Sequence, residues 1–258
     1  MILRPMNSKQ PARHIGLARA LSKLGYCSRS QAAELIRAGR VQLNGRSRRD
    51  PQTPVRIDRD RISVEDRALE PRQKIYLMMN KPRGLVTTAC DEKARETVYS
   101  LLQKPGEALP WVAPVGRLDK ASAGLLLLTN DSEWGARVAA PETHLEKTYH
   151  VQIDTLADDN LLASLLRGVH SDGGEMLRAG GARVLRSGAK NCWLELVLEE
   201  GRNRQIRRML AILGVEVLRL VRVAIGPLQL GDLAKGEYRP LTVDEKKMLD
   251  RAMRVKTS

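Results

Sequence analysis

The segment GRLDKASAGLLLLTND at residues 116–131 guides the interpretation of the whole chain. Its four consecutive leucines, followed by Thr-Asn-Asp, predict a buried strand that stops at a turn. Asp119 precedes this strand, between two glycines and beside cationic residues. A carboxylate held next to such a core is costly unless a cation meets it. We therefore expect Asp119 to be partly buried, ionised and reactive; the alternative is that it only caps a turn or pairs with Arg117.

The composition is that of a globular protein with room for a small domain and a medium one. The chain has 258 residues, 42% hydrophobic and 29% charged. It contains no apolar run near the roughly 20 residues that span a bilayer, and no apolar signal-peptide core near its beginning. We therefore expect a cytoplasmic protein without membrane association. The three cysteines and four histidines lack ligand spacing, so no metal site is expected.

The charge distribution predicts a polyanionic partner. The formal net charge is +14, and residues 1–75 carry 17 Lys and Arg against 7 Asp and Glu, a net +10. The remaining residues carry only +4. This asymmetry indicates a small nucleic-acid anchor attached to a second domain. Because aromatic residues make up only 3% of the chain, we expect phosphate contacts to dominate over base stacking.

Local signals in the basic region predict two short helices and a small sheet. Apolar residues recur at helical spacing over residues 16–26. Ser28 and Gln31 have the spacing of a capping box, and the helix that they open is expected to end at Gly39. Residues 40–43 alternate as a strand before the hairpin turn signal Asn-Gly at 44–45.

The second region reads as strands with intermittent helices, which predicts an α+β fold. Strands are expected at residues 147–153, 191–199 and 215–225, and a helix after residue 204 should end at Gly214. Residues 80–88 (NKPRGLVTT) are expected to form a Pro-Gly turn and then a strand. Tyr149 lies on the face of its strand that also carries Val151; on its own it could be an ordinary half-buried tyrosine.

These motifs resemble those of a known enzyme family. The 116–131 segment, the NKPRGLVTT string and GRNRQIRRM at 201–209 resemble the signature motifs of the RsuA-type (GRLD-motif) ribosomal RNA pseudouridine synthases. Residues 15–75 resemble the S4 RNA-binding domain. The resemblance implies an S4 domain at residues 15–74 and a synthase domain at 75–245, whose core is a bent mixed, mainly antiparallel sheet crossed by the active-site cleft.

The resemblance also implies roles for individual residues and no cofactor. Asp119 would act at the C1′/C2′ region of a flipped-out uridine, Arg207 would pair with it, and Tyr149 would stack on the uracil or assist C5 deprotonation. The implied RNA-contacting residues are Arg117, Arg204 and the S4 arginines Arg29, Arg37, Arg40 and Arg46. The implied apolar pocket residues are Ile225 and Leu228, each of which could equally belong to the core.

The expected partner is ribosomal RNA or a ribosomal subunit assembly intermediate, and the protein is expected to be a monomer. Two alternatives use the same motifs: a non-catalytic RNA-binding assembly factor with this fold, and a synthase that acts on transfer RNA. An intact set of Asp119, Tyr149 and Arg207 argues against the first, and the S4 resemblance favours ribosomal over transfer RNA.

Overall fold

The computed structural model describes residues 14–70, 72–88, 91, 93–103 and 109–253. The chain divides into two compact units. The first comprises Met1–Lys74 and Pro110–Val112, and the second comprises Ile75–Leu109 and Ala113–Ser258.

The first unit combines two short helices with short strands. The helices are α1 (Leu17–Lys23) and α2 (Arg29–Arg37). The strands are β1 (Ile15–Gly16), β2 (Val41–Leu43), β3 (Arg46–Arg48), β4 (Pro54–Val55), β5 (Ile62–Val64) and β6 (Arg67–Ala68). β3, β2, β5 and β6 form an antiparallel sheet in that order, and β1 pairs with β4. This arrangement confirms the two helices and small sheet predicted from the sequence.

The local signals of this unit form as predicted. The hydroxyl of Ser28 accepts a hydrogen bond from the Gln31 amide at 3.2 Å, and the Gln31 side chain accepts one from the Ser28 amide at 3.1 Å. Asn44 and Gly45 join β2 to β3 with φ of 54° and 77°, the left-handed pair that a tight hairpin requires.

The second unit is built on a large sheet with helices packed on it. Its helices are α3 (Ser132–Ala139), α4 (Asp159–Arg167), α5 (Gln205–Ile212) and α6 (Val243–Ala252), with 3-10 turns at Val98–Leu102 and Pro141–Thr143. Its strands are β7 (Tyr76–Lys81), β8 (Ala113–Val115), β9 (Ala123–Thr129), β10 (Lys147–Ile153), β11 (Val169–His170), β12 (Met176–Leu177), β13 (Gly181–Ser187), β14 (Cys192–Leu198), β15 (Val217–Ile225), β16 (Leu228–Gln229) and β17 (Tyr238–Pro240).

The sheet is mixed and mainly antiparallel. Its strand order is β13-β14-β10-β15-β9-β7-β17, with β8 beside β9 and β16 beside β15. Only β9 and β15 run parallel among the strand pairs of the described residues. The α+β prediction is therefore confirmed.

Strand β9 lies in the middle of this sheet, between β7 and β15. All seven of its residues are buried, which explains why its sequence is a run of apolar residues up to Leu128 instead of an alternation. Leu125 and Leu127 pack with Trp134 of α3 and Leu249 of α6 in one core cluster. A second cluster joins β10 and β14 to α4 and α5.

Gly124 marks the closest approach of β9 to β15. It has φ of +103°, and a Cβ atom at this position would lie 2.2 Å from the carbonyl oxygen of Arg222 and 2.7 Å from its amide nitrogen. Backbone atoms cannot yield as a flexible side chain can. Only glycine therefore allows the parallel pairing that brings the start of β9 beside Arg222.

One local prediction is wrong. The strand expected at residues 85–88 is absent from the described part of this segment, where Val86 forms only an isolated bridge with Thr97. The hydroxyl of Thr87 instead bonds the backbone of Leu118, as described below. A tertiary contact thus overrides the β-propensity of Val-Thr-Thr. No helix in the described ranges is long and apolar enough to cross a membrane.

We expect Gly124→Ala to destabilise the second unit more than Gly214→Ala. Both positions have positive φ, but a Cβ at Gly214 meets no atom within 4 Å. The control should cost about 1 kcal/mol for backbone strain, and Gly124→Ala about 1–3 kcal/mol more for overpacking. Calorimetric unfolding of the full chain measures both, and equal shifts would contradict the close approach.

Candidate active site

Asp119 lies in the loop of residues 116–122, which connects β8 to β9. Its side chain is exposed, which corrects the expectation of partial burial. The neighbours Leu118 and Ser122 are the buried residues of this loop, so the turn anchors itself through them and projects the carboxylate outward. The Ser122 amide closes the turn by donating to the Asp119 carbonyl at 3.0 Å.

A buried lysine holds the backbone of this loop from below. Lys81, the last residue of β7, has no exposed surface. Its ammonium donates to the carbonyl oxygens of Asp119 at 3.1 Å, Ser122 at 2.9 Å and Pro82 at 3.0 Å. All three protons of the ammonium therefore have acceptors, and two of these acceptors belong to the Asp119 loop.

The segment that follows Lys81 completes the support. The Gly84 amide donates to the Lys120 carbonyl at 2.8 Å. The Thr87 hydroxyl donates to the Leu118 carbonyl at 2.8 Å and accepts from the Leu118 amide at 3.3 Å. The NKPRGLVTT string is thus the clamp that fixes the loop carrying the carboxylate.

Arg207 of α5 reaches the same loop from another element. Its guanidinium donates to the Ala121 carbonyl at 3.4 Å and to the Val217 carbonyl at 3.3 Å. Every backbone carbonyl from residue 118 to residue 122 therefore accepts a hydrogen bond from the clamp, the loop itself or Arg207. The next arginine, Arg208, is directed elsewhere and bonds Glu175 at 2.7 Å.

Arg207 and Asp119 are near each other but are not joined by a direct ion pair. In the described ranges, the Arg207 guanidinium meets backbone oxygens instead of the carboxylate, and its Nε is buried without a hydrogen-bond partner. Desolvation lowers the pKa of Arg207, and the charge of Arg204 adds to this effect, whereas that of Asp119 opposes it. The pairing predicted from the sequence is thus not formed in this structure, although the two charges interact.

A cavity of about 400 Å³ lies on one side of Asp119. Strands β10 and β15 supply its floor, because Lys147 and Tyr149 share a face with Arg222 and Ile225. The shared face of Arg222 and Ile225 depends on a bulge in β15 opposite Thr148 and Tyr149. The rim includes Arg117, Glu199, Glu200, Arg202, Asn203 and Arg204.

A second cavity, of about 450 Å³, lies on the other side of the carboxylate. It shares Arg117, Leu118, Asp119 and Asn203 with the first cavity. Its other charged lining residues are Asp91, Lys93, Arg95 and Lys120. Asp119 therefore stands where two concave surfaces meet, and each surface carries an excess of cations over carboxylates.

Of the seven site residues predicted in the second unit, five lie together in the first cavity, and Arg207 is outside its lining. Asp119, Arg117, Tyr149, Arg204 and Ile225 all line the first cavity. Leu228 does not; it is buried in the core cluster that contains Trp134 and Leu249. For Leu228, the core interpretation is therefore the one that the structure supports.

The four predicted S4 arginines are exposed on the first unit. Arg40 is already engaged, because its guanidinium bonds the carboxylate of Glu65. The other three residues, Arg29, Arg37 and Arg46, have no side-chain ion pair with the described residues.

Sequence reasoning missed the residues that support the site. Lys81 and Thr87 lie inside a string that was recognised as a motif, yet nothing in the string shows which carbonyls they bond. Arg222 was missed because a charged residue in an alternating strand usually faces solvent. The described residues contain no group of three or more His, Cys, Asp or Glu side chains placed to hold a metal ion.

The family models that match this chain describe an RNA-modifying enzyme with an added RNA-binding domain. The family model described as RNA pseudouridylate synthase matches residues 75–212, and the S4 domain model matches residues 15–62. The chain belongs to the RNA pseudouridylate synthase family. It is therefore an RNA pseudouridine synthase, an enzyme that isomerises uridine in RNA to pseudouridine.

Similar proteins cover nearly the whole chain. The "Uncharacterized RNA pseudouridine synthase YtzG" of Bacillus subtilis (strain 168) is 34% identical over 91% of this chain and 98% of its own length. The "Ribosomal large subunit pseudouridine synthase B" of the same organism is 34% identical over 90% of this chain and 94% of its own. A solved structure titled "Crystal structure of pseudouridylate synthase" has a TM-score of 0.62 and 32% identity, covering 91% of this chain and 99% of that chain.

The buried ammonium predicts a specific pH dependence of stability. Burial lowers the pKa of Lys81 from 10.5 to about 8, while the charge of Asp119 acts in the opposite direction. Between these two values the unfolded chain binds more protons than the folded chain. The free energy of unfolding of the wild type should therefore rise relative to that of Lys81→Met as pH increases through this window, by up to about 3 kcal/mol.

Urea unfolding of the wild type and Lys81→Met between pH 7 and 10 measures this difference. Contributions from other groups cancel in the comparison, and Lys120→Met, which removes an exposed lysine of the same loop, is the control. The control should show no such slope. A pH-independent difference for Lys81→Met would contradict the shifted pKa.

Proposed function

We propose that this enzyme isomerises a uridine of ribosomal RNA in the first cavity, with Asp119 as the reactive carboxylate. The observation that carries this assignment is the position of Asp119. It is an exposed carboxylate at the junction of two cation-rich cavities, on a loop whose carbonyls from residue 118 to residue 122 all accept hydrogen bonds. Such a loop presents the carboxylate in a fixed place without reorganisation at the moment of reaction.

The proposed chemistry needs a carboxylate close to the sugar. The N1–C1′ bond breaks, and its electron pair stays with the uracil. Asp119 either adds to C1′ or removes a proton at C2′. The ring then turns and C5 bonds to C1′; in the first route the bond between Asp119 and C1′ breaks, and in the second Asp119 returns its proton to C2′. The C5 proton then leaves, and N1 gains a proton. Atoms and electrons balance within the isomerisation, so no cofactor is needed.

Tyr149 is the proposed contact for the extruded base. A uridine in structured RNA must leave its stack before its C1′ is accessible, and the pocket must then offer a surface to the ring. Tyr149 is half-buried on the cavity floor, supported by the core cluster beneath it. It would stack on the uracil or assist removal of the C5 proton.

Arg207 is the proposed partner of Asp119 in the complex with RNA. Its guanidinium is already held at Ala121, two residues from the carboxylate, and its contacts there are long. A guanidinium offers several donors in a fixed fork, so it can keep a loop carbonyl and also meet a carboxylate. Arg117 and Arg204 on the cavity rim would contact the phosphates around the target.

We assign the RNA anchor to an S4 domain at residues 15–74 and the chemistry to a domain at residues 75–245. The similarity to a synthase named for the large ribosomal subunit supports ribosomal RNA, or a subunit assembly intermediate, as the substrate. Counterion release by exposed arginines would supply sequence-independent affinity. We also propose that the enzyme acts as a monomer.

We expect Asp119→Asn to lower turnover by at least about 1000-fold while RNA affinity changes little, because the variant removes the reactive charge but keeps the loop. Tritium release from transcripts of small- and large-subunit ribosomal RNA labelled at uridine C5 measures turnover. Asp159→Asn, which changes an exposed carboxylate of α4, is the matched control. Turnover by Asp119→Asn would exclude the carboxylate from the chemistry.

The wild-type result of the same assay selects the substrate. Release from one ribosomal RNA identifies the subunit. Release from transfer RNA transcripts alone would overturn the ribosomal assignment. Tight binding without release from any transcript would favour an assembly factor, or a substrate that exists only within a ribosomal particle.

The S4 arginines should determine the salt dependence of RNA binding. Replacing Arg29, Arg37 and Arg46 together by Gln should reduce the slope of log K against log salt by about 2–3, because each lost phosphate contact removes nearly one released counterion. Arg40→Gln should have less effect, since Glu65 already neutralises that guanidinium. Filter binding at several salt concentrations, with Arg251→Gln as an exposed control from α6, tests this; an unchanged slope in the triple variant would contradict the anchor role.

A further inference from the structure

A buried arginine without a counter-charge lies in the floor of the first cavity. Arg222 is only 5% exposed, and its Nε donates to the Leu125 carbonyl at 2.8 Å. Its Nη2 is buried and has no hydrogen-bond partner in the part of the chain that the structure describes. Burying a charged donor without an acceptor is costly, so a position that keeps one in a cavity wall points to an acceptor that the protein itself does not supply.

A second cation lies close to it. Lys147 of β10 is half-buried and lines the same cavity. Desolvation lowers the pKa of Lys147, and the charge of Arg222 lowers it further. Neither cation forms an ion pair with a carboxylate in the described ranges. Two like charges held together in a partly dry site repel each other, and both would gain from an anion placed between them.

The two cations flank the tyrosine of the cavity floor. Arg222 is the direct cross-strand neighbour of Tyr149, and Lys147 precedes Tyr149 by two residues on the same face of β10. Cross-strand neighbours have Cβ atoms about 5 Å apart, so a ring stacked on Tyr149 would lie within reach of both cations. The cavity floor thus offers an aromatic ring with a cationic donor on each side.

We propose that Arg222 and Lys147 bind the edges of the extruded uracil and stabilise the negative charge that the ring acquires when the N1–C1′ bond breaks. This inference rests on the proposed roles of Asp119 and Tyr149. The electron pair of the broken bond enters the ring and is shared among N1, O2 and O4, while the sugar carbon becomes electron-deficient and is met by Asp119. When C5 bonds to C1′, the C5 proton leaves, N1 is protonated, and the ring is neutral again.

The arrangement separates the two opposite charges of the transition state. Asp119 faces the developing positive charge on the sugar, and the two floor cations face the developing negative charge on the base. Fixed charges in a partly dry cavity act most strongly on charge that appears during the reaction, so both groups would stabilise the transition state more than the bound neutral uridine.

The leaving ability of the ring distinguishes this role from a structural one. Fluorine at C5 withdraws electrons and makes the uracil anion more stable, so the fluorinated ring depends less on the cations. The test compares single-turnover rates on two versions of the transcript that the wild type converts, one made with UTP and one with 5-fluoro-UTP. Nuclease digestion and mass spectrometry measure the loss of the N-glycosidic nucleoside at the target.

We expect Arg222→Gln to slow conversion of the uridine transcript by about 100-fold, as removal of a single preorganised donor does elsewhere. Lys147→Gln should convert the uridine transcript more slowly than the wild type does. Lys147→Arg should recover most of the rate that Lys147→Gln loses. On the fluorinated transcript the loss in each Gln variant should be several-fold smaller. Arg219→Gln, which changes an exposed arginine of the same strand, should match the wild type on both transcripts.

Binding to the same transcript with an abasic target nucleotide supplies the second readout. Affinity for this RNA should be almost unchanged in the Gln variants, because the base that they contact is missing. A loss of abasic-RNA affinity with unaltered single-turnover rates would instead assign the cations to a phosphate and overturn the proposal. So would an equal rate loss on both transcripts, which indicates a structural role.

Using both Arg222→Gln and Lys147→Gln keeps the test valid if one of the two variants misfolds. Arg222 bonds the backbone of β9, so Arg222→Gln is used only if its thermal unfolding matches that of the wild type; Lys147, at the cavity wall, carries the test by itself. If Lys147→Gln keeps the wild-type rate ratio between the two transcripts, the proposal fails while the proposed function stands. Activity in Asp119→Asn would instead overturn the function on which it rests.

Discussion

The rest of the candidate active site depends on the hydrogen bonds from the buried Lys81 ammonium to the Asp119 loop. A fully buried lysine loses hydration, and only a complete set of acceptors makes its burial tolerable. Two of its acceptors are carbonyls of the Asp119 loop, so this loop cannot move away without leaving a charge unsolvated. The same hydrogen bonds therefore stabilise the buried cation and fix the position of the Asp119 carboxylate.

The second constraint is the close packing of β9 on β15. Gly124 lets the two backbones meet, and this contact places the buried Arg222 beside the beginning of the strand that carries the loop. The bulge in β15 then directs both Arg222 and Ile225 to the face of Tyr149. The cavity thus has charge and apolar surface side by side, which is what recognition of a flat ring with polar edges requires.

The sequence predicts the secondary-structure elements better than it predicts the tertiary contacts between them. Periodicity and local chemistry can be read from a short segment of sequence alone. They predict the bounds of β10, the capping box of α2 and the buried run of β9. The outward direction of Asp119 does not, because it depends on Leu118 and Ser122 anchoring the turn. Burial of Lys81 and Arg222 was likewise hidden, since a charged residue at a strand end or on an alternating strand ordinarily faces water. The strand predicted at residues 85–88 is a third case. Thr87 bonds the backbone of Leu118, which is distant in sequence, and the segment does not pair as a strand.

The Asp119 loop is held through carbonyl oxygens, so its exposed side chains take no part in holding it. Carbonyls are common to all residues, so the hydrogen bonds to Lys120 and Ala121, whose side chains are exposed, do not depend on which residues stand there. Substitutions at these positions can change the charge and shape of the surface beside Asp119 while the carboxylate stays in place. The architecture thereby separates the side chains that shape the surface around Asp119 from the backbone contacts that hold Asp119 in position.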